Sequence, residues 1–234
     1  MQRVNARSTR ELVPALRGSP LALAELRLGA SEAHALADAA RDTLLYVFAG
    51  HGALGVAGAE GQLAAGGAGL VPAGAEGRLV AGGEGLAAIV ATIGADADRH
   101  APLGARELAT SLDAADAEHA TGARSFQILF GPHNGSTRAT LFAGSLPPGK
   151  APWHYHLYDE IVWVPEGPGR LHLADTTQEL GPGAAFRLRP RQLHIVENAS
   201  PDRELTVIGV FTPAGSPSAA YLTPDVADEY RFAG

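Results

Sequence analysis

The 234-residue chain contains no cysteine, which excludes disulfides, thiolate metal sites and a cysteine nucleophile. It also lacks any uninterrupted apolar stretch of about 18 residues, the length a helix needs to span a bilayer, so no membrane partner is expected. Basic charge is scarce: 18 Lys and Arg stand against 25 Asp and Glu, a formal charge of −7. Neutralising phosphates takes clustered Lys and Arg, and neither a basic run nor an aromatic platform for bases is present, so nucleic acid is not an expected partner. The opening residues, MQRVNARSTRELVPALRG, carry basic groups without a following apolar stretch. That is unlike a secretory signal, and the cytoplasm is the expected compartment. No Ser-His-Asp order, phosphate-cradling glycine loop or nucleotide fingerprint stands out.

What the chain does have is a globular apolar content of 46% and an abundance of Gly (29) and Pro (16). Short apolar runs punctuated by Gly, Pro, Asn and Asp predict antiparallel strands in a sandwich or barrel. The pattern also repeats. LLYVFAGHGALGV (44–56) and IVWVPEGPGRLHL (161–173) both read as strand, Gly-x-Gly turn and strand, with Gly50 and Gly52 matching Gly167 and Gly169 at an offset of 117. Pro72 matches Pro190 at an offset of 118, and residues 10–29 resemble 125–149. A nearly constant offset over three blocks predicts a duplicated unit. The expected division is 1–94, a connection over 95–122, and 123–234. ARELATSLDAADAEHA in the connection has good helix formers and predicts a helical piece. The tail after Tyr221 reads as a short helix or an extended arm.

The stretch GKAPWHYHLYDEIVWVPEGPG (149–169) carries the chemistry. On a strand, side chains alternate faces, so His154 and His156 point the same way. Glu160 re-enters on that face after a short turn, and His194, in RPRQLHIVEN, supplies a fourth group from a distant strand. Three imidazoles and a carboxylate predict a site for one divalent transition metal (Mn, Fe, Ni, Co or Zn).

These residues resemble both defining motifs of the cupin superfamily. The first reads Gly149, His154, His156, Glu160 and Gly167; the second reads Gly183, Pro190, His194 and Asn198. Gly149 to His154 is one residue short of the usual spacing, Gly183 to Pro190 is one residue long, and Gln192 replaces a usual glycine. The resemblance is strong over 124–215 and weak over 10–94. It implies an all-β bicupin: two tandem jelly-roll-like barrels, a partly helical linker, and the metal in the second barrel only. In the first copy the Glu160 position falls on Thr43, the two histidine positions on Ala37 and Ala39, and the His194 position on Glu76. His34 would substitute only if its loop shifted by about three residues. The first barrel is expected to be a structural or dimerising copy. In architecture alone the arrangement is similar to bicupins such as ureidoglycine aminohydrolase.

The leading expectation is a metal-dependent enzyme for a small-molecule substrate, of dioxygenase type, with Glu160 as a base. Isomerase, lyase or hydrolase chemistry at the same ligands stands beside it, and the alternative is a non-catalytic metal- or small-ligand-binding bicupin of sensor or storage type. A homodimer paired through exposed sheets would suit the architecture. Tyr155 and Trp163 are expected to face away from the site and pack on another sheet or subunit. Arg187 and Arg189 should lie outside the barrel if Phe186 and Leu188 fill it. Lys150 and Gln192 are placed to support the site from the barrel mouth, and His172 and His133 are expected to lie outside it.

Overall fold

A computed structural model describes residues 7–97, 99–120 and 123–222. The first half forms β1 (Ser8–Val13), β2 (Leu21–Leu28), β3 (Ala33–Ala35), β4 (Asp42–Val56), β5 (Ala59–Ala64), β6 (Gly67–Val71), β7 (Gly77–Ile93) and β8 (Ala109–Ser111). These eight strands make one sheet ordered β1-β2-β7-β4-β6-β8, with β3 on β7 and β5 on β4. The second half forms β9 (Ala117–His119), β10 (Ser125–Phe130), β11 (Thr140–Leu146), β12 (Gly149–Lys150), β13 (His154–His156), β14 (Asp159–Val164), β15 (Gly169–Leu173), β16 (Thr177–Leu180), β17 (Ala184–Leu188), β18 (His194–Asn198), β19 (Leu205–Thr212) and β20 (Ala220–Leu222). They make two six-stranded sheets, β17-β14-β19-β11-β10-β9 and β16-β15-β18-β13-β20, the latter with β12 on β18. No helix of the described residues is long and apolar enough to cross a membrane.

The duplication is visible in strand register. Glu160 pairs with Leu188 and Phe211; Thr43 pairs with Val71 and Thr92. The three offsets are 117, 117 and 119. Phe142 and Phe126 stand likewise where Ala24 and Thr9 stand in the first half, at offsets of 118 and 117. The helical part of the connection is a single 3-10 turn, Leu112–Ala114, between β8 on the first sheet and β9 on the second. Edge pairing outweighs the helix propensity of this short segment, because isolated short helices are marginal in water. Residues 223–234, which hold most of the tail, lie outside the described residues.

Gly50 and Gly52 do not make a turn. β4 runs through them with an irregularity in its pairing to β7, because Gly50 adopts φ +77° and a Cβ there would lie 2.1 Å from the Gly85 carbonyl oxygen. Glycine permits the bulge and the close approach.

The two halves share a core. Leu21, Leu23, Leu44 and Ile89 cluster with Leu141, Ile161, Trp163 and Val210, and the Trp163 ring meets Phe48 at 4.9 Å between centroids. Trp163 therefore faces the other sheet, as its alternation from Glu160 requires. Two buried ion pairs sit at the same junction. Arg138 reaches Asp42 at 3.1 Å. Arg187 reaches Asp159 at 2.6 Å, bonds Ser19, and donates to the Pro14 and Leu21 carbonyls at 2.8 and 2.7 Å. Phe186 is buried and Leu188 lines the barrel interior, which puts Arg187 outside the barrel, in the seam rather than in solvent.

Candidate active site

The second barrel brings the four motif residues onto one cavity. His154, His156, Glu160 and His194 are each 7% exposed or less, and all line it. β13 supplies both histidines on one face, β14 supplies Glu160, and β18 supplies His194 by pairing it directly with His154. The imidazole centroids of His154 and His194 are 4.4 Å apart, those of His156 and His194 5.0 Å.

Each imidazole is held by its own loop. Nδ1 of His154 donates to the Pro152 carbonyl, that of His156 to Tyr158 and that of His194 to Gln192, all at 2.8 Å. A carbonyl only accepts, so Nδ1 carries the proton and Nε2 keeps its lone pair. Nε2 of His156 lies 2.9 Å from Oε2 of Glu160, off the line of a directed hydrogen bond, and is buried without a hydrogen-bond partner. Burial, with some help from neighbouring His194, pushes His154 down to about 3, and burial also lowers His194. Both rings stay neutral near pH 7.

Aromatic rings form part of the remaining wall. Phe126, Phe142, Tyr158 and Phe211 make one cluster. Tyr158 stacks on His156 at 4.0 Å and on Phe211 at 4.0 Å, and burial raises its phenol, which stays protonated. Gly209 makes room for this wall: a Cβ would lie 2.2 Å from Phe142 and 3.0 Å from Glu160 Oε1. Gly209→Ala is therefore expected to cost about 1–3 kcal/mol through overpacking, measured as a lowered urea midpoint.

The neutral histidines give a pH prediction. In the unfolded chain they titrate near about 6.5, whereas the folded pKa of His154 is about 3. Between those values the unfolded state binds protons that the native state refuses, so stability is full above about pH 6.5 and lost as pH falls. His154 alone should cost about 2–3 kcal/mol between pH 6.5 and 4.5. Urea denaturation at the two pH values should show the loss, and His154→Asn should reduce it.

The expectation of a metal is overturned. Among the described residues, no group of three or more His, Cys, Asp and Glu side chains is placed so that it could hold a metal ion. Sharing a cavity wall does not make donor atoms close on one point, and here the Glu160 carboxylate is set against the His156 ring. The metal-dependent functions expected from the motif, dioxygenase, isomerase, lyase or hydrolase, fall with it, as does metal binding in a sensor or storage role.

Other residues fall as their surroundings dictate. The Gln192 carbonyl orients His194, while its side chain accepts from the Arg189 amide at 3.0 Å. Lys150 lies 3.9 Å from Glu197, away from the cavity, and His172 bonds Glu197 at 2.5 Å. His133 sits in a 3-10 turn, Pro132–Asn134. Tyr155 stacks on Tyr221 of β20 at 5.4 Å. Sequence reasoning missed Phe126 and Phe142, which come to the cavity from strands without motif letters, Arg124 just before the first of them, and Phe211, which packs behind Tyr158 and Phe142. The 117–119 offset would have paired the three phenylalanines with Thr9, Ala24 and Thr92.

The sheets and their shared seam define a bicupin fold. Residues 144–211 match the family model described as Cupin domain. Among solved structures, the chain is similar to oxalate decarboxylase from Bacillus subtilis, with a TM-score of 0.75 at 14% identity over 96% of this chain and 78% of that one. A substitution variant of that enzyme aligns with TM-score 0.75 at 14% identity over 96% and 79%. In sequence, the chain is 37% identical over 76 residues to L-ectoine synthases of Rhodococcus opacus (strain B4) and Rhodococcus jostii (strain RHA1), which is 32% of this chain and 52% of each relative. The chain thus spans about half the length of the curated relatives it matches.

Proposed function

We propose that the second barrel takes up a small organic molecule bearing an ammonium or similar N–H-rich cationic group, and that Glu160 accepts a proton from it. The observation that carries this reading is the locking of all three Nδ1 atoms onto backbone carbonyls. It leaves three imidazole lone pairs and one carboxylate lining a cavity that Arg124, Ser125, Ser145 and Ser218 also line. Acceptors spread round a wall suit a polyatomic donor, and the rings of Phe126 and Phe142, which line the cavity, add cation–π attraction. The space open to a water-sized molecule is about 100 Å³, several times the 10–15 Å³ or so that one water needs, so a compact ligand fits.

The similarity to L-ectoine synthases supports formation or binding of L-ectoine or a related compound in this cavity. The reading assigns the chemistry to residues 123–234 and none of it to 1–94 or to the connection 95–122. Binding without turnover is the second reading, favoured by the tightness of the aromatic wall.

Calorimetric titration of chelator-treated protein with L-ectoine, guanidinium and ethylammonium tests the proposal, with acetate as the anionic control. Saturable binding of one of the first three, competed by the others, is expected. Binding of acetate alone, or of none, would overturn it. NMR of the bound compound over hours then separates turnover from binding.

A further inference from the structure

The first barrel holds a larger cavity than the second. About 590 Å³ is open to a water-sized molecule there, against about 100 Å³. Strand register explains the difference residue by residue. Where the second barrel has Phe126, Phe142 and Phe211, the first has Thr9, Ala24 and Thr92. At the same offset of 117, Arg41 stands for Tyr158 and Thr43 for Glu160. Rings have been traded for hydroxyls and a methyl, which both widens the barrel and makes its wall polar.

A second observation points the same way. Nδ1 of His34, on this cavity, is buried without a hydrogen-bond partner, a condition that costs about 1–3 kcal/mol unless a bound group meets it. His34 reaches the cavity on β3, between β7 and the loop to β4, rather than at the position of His154 or His156.

We infer that the first barrel is a second ligand site, for a neutral polyhydroxylated small molecule. Thr43 and Thr92 face each other across β4 and β7, and each hydroxyl both donates and accepts. Arg41 brings donors, but Asp38 lies 3.9 Å from its Nε, so the pair presents little net charge. Glu11, on the exposed rim, adds an acceptor. Mixed donors and acceptors inside, with the Glu11 carboxylate confined to the exposed rim, suit ligand hydroxyls better than a carboxylate or an ammonium ion.

Saturation-transfer NMR and calorimetry with ribose and myo-inositol test this, with succinate and tetramethylammonium as charged comparators. Saturable polyol binding is expected in the wild-type chain and in Glu160→Gln. Thr43→Val combined with Thr92→Val should weaken it roughly tenfold or more, the loss of one or two neutral hydrogen bonds. Ala24→Leu should do the same by filling space, and it keeps the test open if the double variant does not fold. Absence of polyol binding, preference for a charged comparator, unchanged affinity in the folded variants, or loss of binding in Glu160→Gln would each overturn the assignment.

Discussion

Replacing Arg187 with methionine is expected to lower the unfolding free energy by about 3–5 kcal/mol, the cost of stranding a buried partner charge. The side chains of Arg187 and Asp159 are only 8% and 10% exposed. Arg187 also ties the segment between β1 and β2 to β14 and β17, through Ser19 and the Pro14 and Leu21 carbonyls. Its loss leaves the Asp159 carboxylate in the seam with Ser19 as its remaining hydrogen-bond partner. Arg187→Met with Asp159→Asn should recover a large part of the loss, because neither charge is then stranded. Arg189→Met, two residues along on the exposed side, should stay within about 0.5 kcal/mol of the wild type. Urea denaturation of the four proteins decides the matter. Equal effects at 187 and 189 would show that the seam is not held by this charge pair.

Glu160→Gln is expected to weaken binding of a cationic ligand by about 10–150-fold, the range for one hydrogen bond to a charged group. For a substrate that the wild type turns over, kcat should fall by about 10²–10⁴ as well, since the amide cannot take up a proton. The substitution nearly preserves size, so the space beside Phe142 and Gly209 is unchanged and a fold defect is not expected. Glu160→Asp separates the roles: it keeps the charge but withdraws it by one methylene, and should retain binding better than turnover. Calorimetry and initial rates on the three proteins give both readouts. Undiminished binding in Glu160→Gln would remove the carboxylate from the ligand site.

These two residues differ in how readily sequence reveals them. Glu160 was readable because it belongs to a local pattern, His-x-His followed by Glu four residues on, whose spacing strand geometry turns into a shared face. The distant His194 was readable for the same reason, since glycines and prolines at fixed offsets punctuate its strand. Arg187 was not. Alternation put it outside the barrel, but what covers the outside of a barrel is a tertiary fact, and here it is the loop following β1.

By itself, then, the sequence determined the all-β architecture, the doubling of the unit and the four polar residues that reach one cavity, because period-two alternation and turn residues are local properties. Tertiary structure decided the rest. It set the carboxylate of Glu160 against His156 without forming a metal-holding cluster, since ligation depends on donor directions that spacing does not encode. It walled one cavity with rings and left the other wide and hydroxylated, since that contrast arises only when strands far apart in sequence are laid side by side in register.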